Sequence, residues 1–413
     1  MKRIFALTTL ALACSASMAQ STNSVTLYGL VDAGVSRVTG LRGGTNNQLV
    51  SGIMEGSRFG LRGNEDIGGG YRALFTMENR LELNNGTLSN RPASGAQVPD
   101  RLATASLLGL PTALQPAVSG VAANLGNTIG VNLNNAFWDR QVYLGLVTPV
   151  GAVLAGRQYT PAYEVAATFE TMGTQSSLAA GQITALPTGI EIRTSNALQY
   201  RIVQGPFTAG VMYGFGVPGN RKANQLIGVQ GVYNGSLFQA GIGYNTRNNE
   251  LGAKSLTSTV VGASAKVGPG KANVMVAQIT DDNPSGLSSV GASLVPLVGA
   301  TAAGLVQNAF ITAFKQDGML FNVGYKFETG PNTIYVAYSS LDDKTASNAD
   351  VASYGAAYTY ALSKRTDLNL VLTHFNNKGL AQAAPGQAGF LGGVTASAGT
   401  DSNSLAFGIR HRF

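Results

Sequence analysis

The feature that most constrains this chain is a period-two alternation placing apolar side chains on one face of short segments and polar or ionised ones on the other. Between Val25 and Ser36, Val25, Leu27, Val31, Ala33 and Val35 share a face, with Asp32 and Ser36 opposite. From Arg72 to Arg80, Ala73, Phe75 and Met77 alternate with Arg72, Thr76, Glu78 and Arg80. The chain ends on the same rhythm, with Leu405, Phe407, Ile409, His411 and Phe413 two residues apart. This repeat is that of a β-strand with one wetted face. Faces that carry Arg and Glu cannot form a dry core.

The first residues place such strands outside the cytoplasm. Lys2 and Arg3 precede the apolar stretch from Ile4 to Ala13, and Ser17-Met18-Ala19 stands before Gln20. That is the layout of a secretory signal peptide, too short in its apolar part to span a bilayer, so cleavage is expected after Ala19. Residues 20–413 then form the exported protein, 413 less 19, or 394 residues. A competing reading takes Ala11-Leu12-Ala13-Cys14 as a lipoprotein box, although Ala stands where Leu is usual. Cys14 is the sole cysteine, so a chain cut after Ala19 has no disulfide, cysteine nucleophile or thiolate metal site. Loss of Lys2 and Arg3 takes the 28 basic residues to 26 against 21 acids, a net charge of +5. These charges are scattered, which argues against a nucleic-acid surface.

Beyond the leader no uninterrupted apolar run is long enough for a helical span. Yet 53 glycines, 12% charged residues and a mean hydropathy of +0.10 are odd for an exported soluble protein. A transmembrane β-barrel resolves this, because its strands need apolar residues only at alternate positions.

Turn chemistry sets the strand count. Short connections fall at Asn64 to Gly70, Thr148 to Gly151, Gln204-Gly205-Pro206, Asn234-Gly235-Ser236, Gly268-Pro269-Gly270, Thr329 to Asn332 and Ser363 to Asp367. Seven turns join fourteen strands, and a first and a last strand bring the expectation to sixteen. The strands are expected near 25–38, 53–63, 70–83, 137–148, 151–160, 193–204, 206–216, 224–234, 236–246, 256–266, 271–280, 318–328, 332–341, 350–361, 367–376 and 402–413. Long connections remain at about 84–136, 161–192, 281–317 and 377–401. Two of these contain apolar stretches, 102–126 and 287–305, each expected to form a short helix on the barrel rim. The rival reading as helical spans is opposed by Pro111 and Pro116 in the first and by Pro296 and Gly299 in the second.

Five segments, in this order, closely resemble Gram-negative trimeric porins: Val25 to Val35, Gly56-Ser57-Arg58-Phe59-Gly60-Leu61-Arg62-Gly63 running on to Tyr71, Phe137-Trp138-Asp139-Arg140-Gln141-Val142-Tyr143, Gly156-Arg157-Gln158-Tyr159-Thr160-Pro161, and Tyr358 to Asp367. The ending Phe407 to Phe413 resembles them too. The resemblance implies an all-β fold, a 16-stranded antiparallel transmembrane β-barrel with an inward-folded third loop. It further implies a homotrimer in the outer membrane, in contact with lipid and lipopolysaccharide, passing ions and small hydrophilic solutes by passive diffusion. The third loop would follow Pro161 and bring Glu164 and Glu170 to the constriction, facing Arg58, Arg140 and Arg193 on the opposite wall. Arg62 and Asp32 are further candidates for the pore lining, and Arg157, on a short strand either face of which could be inward, either lines the pore or ties down the loop. Phe413 matches the terminal aromatic read by the barrel-assembly machinery. The chain departs from some family members at Leu30, where a basic wall residue can stand, and the 84–136 connection is longer than is usual.

Alternation supports part of this independently, since Arg58 and Arg62 stand opposite Phe59 and Leu61 and therefore face water if the apolar pair faces lipid. Three wall arginines against two loop acids give an expectation of modest anion preference. A catalytic role is not expected, because the only imidazoles are His374, near a strand end, and His411, on an outward position. No spaced ligand array surrounds Asp281-Asp282, Asp342-Asp343 or Asp350, so neither a metal nor another cofactor is expected. The rival functions are a barrel enzyme, an adhesive or scaffolding barrel, and a substrate-selective channel for a sugar or an organic anion.

Overall fold

The computed structural model describes residues 23–388 and 391–413. The expected signal peptide, with its cut after Ala19 and the alternative lipidation site Cys14, lies outside the described residues.

One antiparallel sheet closes on itself. Its strands are β1 (Ser24–Leu41), β2 (Gly44–Ser51), β3 (Arg58–Gly68), β4 (Tyr71–Arg80), β5 (Gln141–Thr148), β6 (Gly151–Tyr159), β7 (Arg193–Gln204), β8 (Phe207–Gly214) and β9 (Leu226–Asn234). They continue with β10 (Phe238–Asn248), β11 (Lys254–Val267), β12 (Gly270–Asp281), β13 (Gln316–Thr329), β14 (Asn332–Asp343), β15 (Val351–Ala361), β16 (Thr366–Asn377) and β17 (Ser402–Arg412). From β3 onward neighbours in sequence pair, and β1 pairs with β17 from Leu30↔Arg412 to Thr39↔Asn403.

Seventeen segments make sixteen staves, because β2 and β3 share one side of β1. β2 lies along its upper part, with Ala33 opposite Ser51, and β3 along its lower part, with Leu30 opposite Arg58. Residues 52–57 interrupt that stave. Sequence reasoning begins it at 53 and misses β2, whose residues Gly44, Thr45, Asn46, Asn47 and Gln48 read as a polar loop. Pairing with the eighteen-residue β1 imposes the extended form there.

The faces of the barrel invert those of a soluble protein. Leu27, Leu144, Val211, Ile242, Leu405, Phe407 and Ile409 are exposed on the outer surface, while Gln141, Gln199, Asn273, Asn322, Asn369 and Arg410 are buried within. In hydrocarbon the closed sheet satisfies its own backbone groups and presents apolar side chains to lipid, leaving the polar set for a wet interior.

Short turns occupy one rim and longer connections the other. Numbered in chain order, the connections important here are L2 (residues 81–140), L3 (160–192), L6 (282–315) and L8 (378–401). Helices form in both apolar stretches: α1 (Gln115–Thr128) in L2 and α3 (Val290–Phe314) in L6. α3 is not one straight rod. Gly299 leaves helical geometry at φ 78°, three residues after Pro296, and the Gly291 amide then donates to Gln307 Oε1 at 2.6 Å, so the second half folds back on the first.

L3 enters the barrel. Its helix α2 (Pro161–Phe169) starts at Thr160, whose hydroxyl accepts the Tyr163 amide, with Pro161 in the first turn. A file of small residues on the inner wall receives it. A Cβ at Gly262 would lie 2.3 Å from the Phe169 Cβ, one at Gly241 2.7 Å from the Phe169 ring, and one at Gly228 2.7 Å from Pro161. Phe169 is fully buried there with Val165 and Val260. Beyond α2, L3 crosses to the far staves, where Leu178 and Ala179 pack on Ala337, Ala357, Val371 and Ala406.

Candidate functional site

Alternation on β3, β4 and β17 turns a set of arginines inward, and the break in the second stave arranges them. Asp32 on β1 is fully buried and accepts the backbone amides of Ile53 at 3.1 Å and of Met54 and Glu55 at 2.8 Å each. These bonds fix residues 52–57 as a tight inward bend. The bend aims Glu55 at three guanidinium groups: Arg58 at 2.8 Å, Arg410 at 3.0 Å and Arg412 at 3.1 Å. Asp367 takes the same Arg410 and Arg412 from the other side, at 3.0 Å each.

A second node lies beside the first. Glu78 on β4 takes Arg140 Nε at 2.6 Å, the Tyr28 hydroxyl at 3.1 Å and Arg58 Nε at 3.7 Å. Arg140 Nη2 and Arg193 Nη2 each donate to the Tyr159 hydroxyl at 3.1 Å, and the Arg193 guanidinium lies over the Tyr159 ring at 4.6 Å. Tyr159 stacks in turn on Tyr163 of α2, with ring centroids 5.1 Å apart, joining the charged wall to L3. Arg80 completes the cluster with Asp139 at 3.2 Å and Glu82 at 3.4 Å.

Of the residues singled out from sequence, Arg58, Arg140 and Arg193 therefore do come together, around Glu78 and Tyr159. Arg62 is also on the inner face, exposed, with its guanidinium 3.9 Å above the Tyr28 ring. Asp32 departs from expectation, and Arg157 takes the loop-tying alternative. Asp32 points inward but is sealed from water by the bend that it holds. Arg157 stands opposite Val142, on the outward side of β5 and β6, and donates to the Asp139 carbonyl at 2.6 Å and the Ser195 hydroxyl at 2.9 Å, tying a rim connection. A register irregularity between Gly156 and Gln158 makes its face hard to assign from alternation alone.

The loop acids do not confront the arginine cluster either. Glu164 pairs with Arg201 on β7 and takes the Gln230 amide at 2.7 Å, which pins α2 to the wall. Glu170 turns into its own loop, accepting the amides of Thr174 and Ala180. The acids that answer the arginines are Glu55, Glu78, Glu82, Asp139 and Asp367. Glu78 and Arg80 are visible in the polar half of the Arg72–Arg80 alternation, as Arg410 and Arg412 are beside Ile409 and His411. Glu55 carries no sequence signal, because its bend exists only through Asp32.

Phe413 extends the last stave. Its amide and carbonyl exchange 3.1 Å bonds with Gly29, and its ring covers the place a Cβ would occupy on Gly29.

A closed barrel with apolar girth, ionised inner wall and a loop folded across its bore is a membrane channel of the outer-membrane type. The family model described as Gram-negative porin matches residues 6–380, and the chain belongs to that family. It is 23% identical to an outer membrane porin protein of Bordetella pertussis, over 97% of each chain. An anion-selective porin from Comamonas acidovorans superposes with a TM-score of 0.70 at 21% identity, over 95% of this chain and all of that one. The in-vitro folded trimer form of OmpT from Vibrio cholerae gives 0.57 at 13% identity, over 95% of this chain and all of that one. The protein is an outer-membrane porin, a water-filled diffusion channel.

Proposed function

We propose that Arg58, Arg140 and Arg193, with Tyr159 and Tyr163, form the constriction through which ions and small hydrophilic solutes pass, and that the channel prefers anions modestly. The observation that carries this is the state of Arg193. In the cluster around Tyr159, Arg58, Arg80 and Arg140 each meet a carboxylate, whereas the contacts of Arg193 among the described residues are the Tyr159 hydroxyl and ring. Among the described residues Arg193 has no carboxylate within ion-pair distance and feels Glu78 only at longer range, so its charge is the least compensated of the four and raises the anion concentration in a narrow passage with low-dielectric walls. The Comamonas porin with the same fold is anion-selective, which agrees with this reading. Passage is passive and no catalytic step is assigned.

The exposed apolar girth suits outer-membrane lipid with lipopolysaccharide, and assembly as a homotrimer accords with the trimer form of the Vibrio OmpT. Phe413 is proposed as the signal read by the barrel-assembly machinery, and residues 1–19 as the leader that exports the chain. Planar-bilayer recording with a KCl gradient tests the channel reading. Large ohmic steps arriving in threes, with a reversal potential of anionic sign, are expected. A folded, heat-modifiable barrel that conducts nothing would remove the diffusion reading in favour of a plugged or adhesive barrel.

A further inference from the structure

L2 and L6 leave the barrel from opposite sides. L2 joins β4 to β5, the third and fourth staves, and L6 joins β12 to β13, the eleventh and twelfth, half a circumference away in a sixteen-stave barrel. Yet α1 and α3 pack together. Ala117, Val118 and Val121 of α1 share one apolar core with Leu294, Val306 and Phe310 of α3, and Val118, Val306 and Phe310 are fully buried. L2 reaches L6 past L8 and L3, and its Pro92, Gln97 and Arg101 face the inner-wall residues Ile279, Gly318 and Val351 across one cavity, so this part of the mouth is spanned.

L2 is the keystone of this span. Arg101 donates to the Ala313 carbonyl at the end of α3 at 3.2 Å and to the Leu186 carbonyl of L3 at 3.5 Å, and among the described residues no carboxylate lies within ion-pair distance of it. Beside it, Leu102 is fully buried against Leu186, Phe314 and Leu391 of three other connections. Asp100 meets Arg42 at 2.6 Å and its amide donates to Gln382 of L8, while the Val394 amide of L8 donates to Ser94 at 2.8 Å. Beneath lies a small open-sided cavity of ≈ 90 Å³ lined by L2, L3, L8 and the upper ends of β12 to β15. The long L2 thus folds over its own barrel.

We propose that this helical roof is a second, size-selecting filter in series with the constriction, latched by Arg101. A solute reaches the arginine wall only by passing the side openings of the roofed chamber. A flexible polar loop would fluctuate clear of the mouth, whereas an apolar core tied to L3 and L8 holds its position at a cost set by the apolar area that opening would expose.

The inference rests on the open-channel reading, and the test separates the two. Three proteins are compared with the parent: one with residues 287–314 replaced by a short Gly-Ser linker, one carrying Val306→Asp and Phe310→Asp, and Arg101→Met. Single-channel conductance and the swelling of liposomes in sugars of graded size are recorded on heat-modifiable, folded protein. Two resistances of similar size in series predict about a twofold rise in conductance when one is removed. The larger sugars should gain more than the smallest, in the order linker, double Asp, Arg101→Met. Unchanged conductance and an unchanged sugar cut-off in any two folded variants would overturn the roof filter and leave the constriction as the sole limit. A silent parent would instead overturn the channel reading itself.

Discussion

The two halves of the inner wall solve different problems with the same strand geometry. On β1, β3, β4, β16 and β17, inward positions carry arginines and carboxylates, locked together in a band around Glu55 and Glu78. From β9 to β11 the inward positions on which α2 packs are glycines, Gly228, Gly241, Gly243 and Gly262, with no side chain at the places where α2 sits. One half presents charge to water and the other receives a folded segment of its own chain. A bore can be narrowed asymmetrically only if its wall is asymmetric, because L3 needs a surface to pack on and solutes need one that stays wet.

The largest expected effect comes from breaking the receiving half. Phe169→Ala removes a fully buried ring and should cost about 3–5 kcal/mol, read as a lower unfolding midpoint together with a larger and noisier conductance as L3 unseats. Gly262→Val attacks the same contact from the wall and should cost about 1–3 kcal/mol by overpacking. If L3 conductance signatures survive both, the small-residue groove is not what holds the loop.

On the charged half, Glu78→Gln leaves Arg140 buried without its carboxylate and should destabilise by about 3–5 kcal/mol, whereas the double replacement Glu78→Gln with Arg140→Met should recover most of this. A thermal unfolding series checks it, and equal losses in single and double variants would deny the coupling. Arg193→Gln should leave the unfolding midpoint close to that of the parent and move the reversal potential towards cations, since this group is a field source rather than half of an ion pair.

The smallest effect concerns pH. Burial pushes the Glu170 carboxyl up from 4.5 to about 8, against the two backbone amides that favour its ionised form. An acid whose value is raised by folding contributes its stability fully below its unfolded value and loses it as pH rises through the folded one. The packing of L3 should therefore be firmest near pH 4.5 and loosen towards pH 8. Glu170→Gln should flatten the dependence of the unfolding midpoint over that range, and a parent midpoint that rises with pH would contradict the assignment.

How much of this is readable in advance differs by element. Alternation and turn residues locate fifteen of the sixteen staves to within a few residues, and Pro296 with Gly299 foretell the break in α3. Polar β2 is invisible because its conformation is imposed by the neighbouring strand. Glu164 and Glu170 are placed on the right loop and given the wrong partners, since a loop offers no period from which side-chain direction can be read.

What the sequence alone determined is which face the strand residues take away from register irregularities such as that at Arg157, because side-chain direction in a regular strand depends only on parity along the chain. Tertiary structure decided which charges meet. Arg410 and Glu55 lie 355 positions apart and touch because β1 closes on β17 and Asp32 bends the second stave between them. Closure and register are properties of the whole sheet, and pairings that depend on them have no local pattern to betray them.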